Sequence, residues 1–170
     1  MTTNTKSRTE IRFHALCSDL SQCVGEKGLL KLALDAVLTV DEERLQEARK
    51  RSPDFSPYML LTLLTYCYSA SLYGSRDIET AIGSDRTVRY ICARSYPDWQ
   101  RLRRFRRQHR DLLLQCLSYV LKQVWALKFD EGEADYVGYE WFESELIDLV
   151  NRGAGDRLDF AALLDGAESE

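Results

Sequence analysis

Residues 56–72 read SPYMLLTLLTYCYSASL, and this stretch sets the fold class. Ser56 can cap a helix and Pro57 suits its first position. Met59, Leu60, Leu61, Leu63, Leu64, Tyr66, Cys67, Tyr68 and Leu72 then leave almost no polar face. A helix that is apolar all round belongs in the middle of a bundle. Gly74 is expected to end it. Elsewhere no long alternating Val/Ile/Thr run occurs, only 3 prolines interrupt the chain, and helical spacing recurs. The expected fold is all-α: a multi-helix bundle with a helix-turn-helix-like segment and a long basic helix.

Upstream, residues 9–23 place Ile11, Leu16, Leu20 and Cys23 roughly on one side, and Leu29 to Val40 forms a second apolar helical stretch. Asp41 to Arg51 is charged on nearly every side except at Leu45 and Ala48, the pattern of an exposed helix. The breaker Ser52-Pro53-Asp54-Phe55 comes next. Downstream, Ser75 is expected to cap a short helix, Arg76 to Ile82. Gly83-Ser84-Asp85 turns the chain into a second one, about Arg86 to Arg94. Helix, three-residue turn, helix is the length pattern of a helix-turn-helix. Pro97 and Asp98 open the longest predicted helix, 98–128. At roughly 100° per residue, Leu102, Phe105, His109, Leu112, Leu113, Cys116, Val120, Val124 and Leu127 fall in one arc. Arg103, Arg106, Arg107 and Arg110 share the adjacent face. Beyond Phe129 the chain is acidic, with amphipathic helices expected around Trp141, Phe142, Leu146, Leu149 and Val150, and again from Phe160 to Leu164. The organisation is therefore 1–54, N-terminal helices packing on the core; 55–128, the helical domain with the basic segment; and 129–170, an acidic helical tail.

A chain of 170 residues, 45% hydrophobic and 29% charged, suffices for one domain with its own core. No stretch approaches the length of apolar sequence that spans a bilayer. Residues 1–10 are polar and lack a signal core, so a cytoplasmic location is expected, with no membrane partner. Cysteines at 17, 23, 67, 92 and 116 include no C-x-x-C pair and read as free thiols, most of them buried. The net charge of -4 conceals a segregation. Residues 1–75 carry 9 basic and 9 acidic side chains; 76–110 carry 10 arginines against 4 acids; 111–170 carry 4 basic and 14 acidic residues. Local charge, not overall pI, decides what a patch attracts.

The candidate binding residues are Ser75, Arg76, Arg86, Arg89, Tyr90, Arg101, Arg103, Arg104, Arg106, Arg107 and Arg110. Like charges one turn apart repel, and an anionic partner offsets that cost. Guanidinium groups suit phosphate forks and guanine edges, and every basic residue of the patch is arginine. DNA is one such partner; the acidic tail of the same chain, or a protein docked through it, is another. Core packing accounts first for Tyr66, Tyr68, Tyr73, Tyr90 and Tyr96, and Tyr90, beside Arg89, can also contact a phosphate. His109, on the apolar arc, reads as a packed structural residue. Trp125, Trp141 and Phe142 can close either the core or a homodimer interface. No Walker loop, G-x-G-x-x-G, G-x-S-x-G or H-E-x-x-H occurs, so neither catalytic residues nor a cofactor is expected. Asp130, Glu131, Glu133 and Asp135 read as a solvated acidic segment before they read as metal ligands.

Ser56-Pro57-Tyr58-Met59-Leu60-Leu61, then Tyr66 and Tyr68, Tyr73-Gly74-Ser75-Arg76-Asp77-Ile78-Glu79, Pro97-Asp98 and Leu102-x-x-Phe105-Arg106-Arg107-x-His109 succeed one another in order. This series resembles the helical N-terminal domain of bacterial insertion-sequence DDE transposases, over about residues 55–115. The resemblance implies recognition of transposon-end DNA, with catalysis assigned to a following nuclease domain holding a metal-binding Asp-Asp-Glu set. The chain departs from that pattern after the basic helix. Phe129-Asp130-Glu131-Gly132-Glu133 stands where the family continues into its first catalytic aspartate, and the residues from there to Glu170 are too few for a ribonuclease-H-like fold. The expectation is a non-enzymatic, nucleoid-associated DNA-binding protein that regulates transcription or transposition of a mobile element.

Overall fold

The computed structural model describes residues 7–129 and the helix Tyr139–Glu168, with side chains of that helix described from Ser144 to Gly166. The described residues form nine helices and no strand: α1 Arg8–His14, α2 Ser21–Leu38, α3 Glu42–Arg51, α4 Pro57–Ser69, α5 Ser75–Ser84, α6 Arg86–Cys92, α7 Trp99–Gln108, α8 Arg110–Phe129 and α9 Tyr139–Glu168. The expected all-α bundle is what the chain builds.

Helix α4 is the central rod. Ser56 accepts a hydrogen bond from the Met59 amide at 3.5 Å, and Pro57 occupies the first turn, where its missing N–H costs nothing. Nearly every residue from Leu60 to Ser69 is buried. The helix stops at Ser69, earlier than the expected end at Gly74, because Ser71 takes a left-handed φ of 63° and the Leu72 amide bonds back to the Cys67 carbonyl. Helices α2, α8 and α9 wrap this rod, and the α8–α9 contact is the most extensive of all. Leu29, Ala33, Leu61, Leu64, Leu113, Leu117, Val120 and Leu158 meet in the core.

Charged helix α3 behaves as its pattern requires: Asp41 caps it and only Leu45 and Ala48 are buried. Two N-terminal features stand out. Gly25, at a φ of +79°, kinks α2 near its start, a conformation that L side chains rarely adopt. Ile11, expected on an apolar side, is exposed on the short α1.

The helix expected over 98–128 is two helices. His109 takes φ -125° and ψ 37° between α7 and α8. The bend lets α7 pack on α4 and α5 while α8 packs on α2, α4 and α9. Leu127, placed on the apolar arc by a straight helix, is exposed near the end of α8, whereas Trp125 is buried in the core and not at a dimer surface.

The acidic C-terminal segment is not a loose tail. Leu146, Leu149, Val150, Ala154, Leu158 and Ala161 of α9 are buried, and its acids lie mostly outside that stripe. Gly153 permits the closest approach: a Cβ there would stand 2.8 Å from the Phe13 ring of α1. Arg157 donates to the carbonyls of Ser18, Tyr68 and Ser69, at 2.8, 2.6 and 3.2 Å, closing the C-terminal end of α4. Trp141, Phe142 and the carboxylates at 130–135 fall outside the described residues or side chains.

Candidate nucleic-acid interface

The basic segment folds as three short helices. Asp85 ends α5 and caps α6 in one step: its amide donates to the Ala81 carbonyl, and its carboxylate accepts from the Thr87 and Val88 amides at 2.9 and 3.1 Å. The turn between the paired helices is therefore one residue, not three. Asp98 caps α7 by accepting from the Arg101 amide at 2.9 Å. Helix α5 is tied to α7 by the Glu79 carboxylate, which accepts from the Trp99 amide, and by the Arg76 guanidinium lying 4.4 Å over the Trp99 ring.

Periodicity sorts the arginines of α7. Leu102, Phe105, Arg106 and His109 form its inner face. Gln100, Arg101, Arg104, Arg107 and Gln108 form its outer face, at the i, i+3/i+4, i+7 spacing of one helical side. Arg103 lies half-buried between them. The exposed stripe is thus Arg101, Arg104 and Arg107, in place of the expected Arg103, Arg106, Arg107 and Arg110. Arg104 and Arg107 have no acidic partner among the described residues. Arg101 is held by Asp98 at 2.8 Å and Asp54 at 3.6 Å, with its guanidinium 5.3 Å over the Phe55 ring.

Two expected contact residues face inward. Arg106 and Asp165 of α9 form a buried ion pair at 3.0 Å. Ser75, the first residue of α5 and not its cap, gives the same carboxylate its amide at 2.9 Å and its hydroxyl at 2.8 Å. Both lie beneath the surface a partner would touch, because their polar groups are committed to Asp165. Burial raises the pKa of Tyr68, which packs beside this pair. Arg110, on the start of α8, pairs at 2.7 Å with Asp159 of α9, both well exposed. Two acids of the C-terminal helix therefore do meet the basic segment.

On α6, Arg86 and Arg89 are exposed, and the Arg89 guanidinium lies 5.8 Å from the Tyr96 ring centre. Tyr90 is 72% exposed and lines an apolar groove of about 550 Å³ with Leu34, Leu38, Tyr58 and Met59, so its neighbours include carbon surface as well as arginine.

His109 is buried against Phe105, ring centroids 4.6 Å apart, and its Nε2 has no partner among the described residues. Burial first, and then the Arg51 guanidinium, hold its pKa below the usual imidazole value, against a weaker opposite pull from Asp111. The unfolded chain therefore binds a proton more readily than the native one. Stability is full above the unfolded imidazole pKa, near 6.5, and falls as pH drops through that value toward the lower native one. His109→Gln should flatten this part of a urea-midpoint series between pH 7 and 5; an unchanged slope would place the effect elsewhere.

All five cysteines are free thiols, with Cys67, Cys92 and Cys116 buried, and burial lifts the Cys92 and Cys116 pKa values to about 11 and about 12. No three His, Cys, Asp or Glu side chains among the described residues gather as metal ligands, and no helix among them is long and apolar enough to cross a membrane. No family model, curated protein or solved structure matches the chain.

Proposed function

We propose that this chain is a non-enzymatic DNA-binding protein, related to the N-terminal domain of insertion-sequence DDE transposases. The observation that carries this reading is the outer face of α7, where Arg101, Arg104 and Arg107 project in one row. Arg86 and Arg89 on α6 extend the supply of exposed guanidinium groups. Guanidinium forks match phosphate oxygens, and phosphate contacts supply position and affinity while base edges supply sequence. The role is that of a regulator or accessory of a mobile element in the bacterial cytoplasm, associated with the nucleoid, and transposon-end-like DNA is the target to try first.

About five phosphate contacts give a log–log slope of affinity against salt near -4 to -5, at about -0.9 each. Arg104→Ala/Arg107→Ala should weaken binding of a labelled duplex and make the slope shallower by about 2. Both side chains are exposed, so the helical circular dichroism should stay as it is. Anisotropy titrations at two salt concentrations check this. Affinity that is flat with salt, or indifferent to the double substitution, contradicts the proposal, and metal-dependent DNA cleavage by the purified chain contradicts its non-enzymatic part.

The contacts of Asp165 and Asp159 with Arg106 and Arg110 favour a second reading, an interaction module whose C-terminal acids answer the basic segment and whose partner is a protein. Absence of any salt-dependent DNA binding would favour it.

A further inference from the structure

We infer that the small cavity between the end of α3, the turn 52–55 and the outer side of α7 is a binding site for one phosphate-class oxyanion. On the DNA-binding reading above, which this inference rests on, the occupant is a single backbone phosphate.

The cavity is about 80 Å³ in volume. A water molecule takes roughly 30 Å³ of the liquid, so the space suits one tetrahedral oxyanion better than a nucleobase or an extended ligand. Its walls include Arg51, Arg101 and Arg104, with Phe55 and Phe105 as the apolar part. These three arginines outnumber the two nearby carboxylates, Asp54 on the wall and Asp98, both of which pair with Arg101.

Each arginine is placed by the fold. Arg51 is the last residue of α3, where the negative end of the helix dipole favours a cation. Arg101 and Arg104 are one turn apart on α7. Arg101 is immobilised by Asp98, Asp54 and the Phe55 ring, so little rotamer entropy remains to be lost on binding. Arg51 and Arg104 have no acidic partner among the described residues. With Asp54 and Asp98 both on Arg101, the charges of Arg51 and Arg104 are left unmatched at the cavity, and a bound oxyanion answers them through charge-assisted hydrogen bonds. Partial enclosure by Phe55 and Phe105 keeps solvent from screening those bonds fully. The field of Arg51 reaches His109, whose ring packs at a tilt against Phe105.

This site lies partly outside the basic stretch of the sequence. Arg51 belongs to the N-terminal third of the chain, and only folding brings it to α7. It adds a contact that neither α7 nor the paired helices α5 and α6 would supply alone.

The full chain titrated with inorganic phosphate tests the inference. Arginine Nε–Hε resonances report the site directly, and calorimetry reports affinity. Saturable shifts are expected at Arg51, Arg101 and Arg104. Arg51→Gln and Arg104→Gln, both exposed positions, should each weaken phosphate binding about tenfold or more, the loss of one charge-assisted bond. Arg152→Gln, an exposed arginine on α9, should leave it unchanged. No saturable response, or one indifferent to R51Q and R104Q, overturns the site.

A parallel titration with a labelled duplex separates the two sources of phosphate. Weaker DNA binding in R51Q, with a salt slope shallower by about 0.9, supports a backbone phosphate as occupant. DNA binding that is intact and insensitive to R51Q overturns that occupant while the DNA-binding reading stands. A phosphate response without any DNA binding overturns the DNA-binding reading and leaves a site for free phosphate.

Discussion

A chain ending at residue 138 is expected to lose cooperative folding. The acidic composition of the last third suggests a dispensable tail, yet α9 buries Leu146, Leu149, Val150 and Leu158 with two alanines. Fully burying each such side chain contributes about 1.5–3 kcal/mol, so these four alone are worth about 6–12 kcal/mol before the facing residues of α8 are counted. That matches the whole stability of a typical domain, about 5–15 kcal/mol. The truncation also strips Arg157 from the carbonyls at the end of α4 and Asp165 from Ser75 and Arg106. Residual helical circular dichroism with a broad urea transition and dye binding to exposed apolar surface is expected. A sharp transition near the midpoint of the full chain would make α9 an appendage after all. Truncation is accordingly a poor probe of whether the C-terminal acids restrain the basic segment. Asp159→Lys asks the question cleanly, since that carboxylate is exposed and its one ion pair among the described residues is with the surface arginine Arg110.

The sequence exposed some of this architecture and hid the rest for identifiable reasons. The runs at 41–51 and 57–69 are extreme, one charged nearly all round and one apolar nearly all round, so each has a single environment available to it. Helix α9 was harder. Its stripe uses small residues, Ala154 and Ala161, and two glycines interrupt it, which lowers every periodic signal while making close packing feasible. The break at His109 has no proline or glycine to mark it. It comes from the need to lay α7 and α8 on different neighbours, which is tertiary information. Arg106 is the instructive case. It sits four residues after Leu102 and three before His109, so its spacing puts it on the inner face, but its charge argued for the outer one. Asp165 likewise continues the stripe of Leu158 and Ala161. A lone basic group on one apolar face and a lone acid on another are complementary anomalies, and pairing them was the available signal. Arg51 gave no such signal, because its proximity to Arg101 and Arg104 exists only in three dimensions.

That buried pair carries the other large expected effect. Asp165→Ala should destabilise the chain by about 3–5 kcal/mol, the usual cost of removing one partner of a buried ion pair. Asp165 is 3% exposed, and it accepts from Ser75 twice and from Arg106 through Nη2 and Nε. Its loss leaves a guanidinium, which cannot shed its charge, and the first amide of α5 without an acceptor. Two features separate this from ordinary core damage. Arg106→Met combined with Asp165→Leu should recover much of the lost stability, because it removes both charges together and restores apolar contact. A double-mutant cycle by urea denaturation measures that coupling, and additive losses would mean the pair contributes nothing as a pair. The disturbance should also be directional. Asp165 anchors the start of α5, and α5 positions α6 through Asp85 and α7 through Trp99. Amide exchange in Asp165→Ala should therefore quicken first in α5, α6 and α7, while the α2–α4–α8 centre stays protected. Through that carboxylate the acidic end of the chain holds the basic helices in register with the core, although its composition alone would suit it only to repelling DNA.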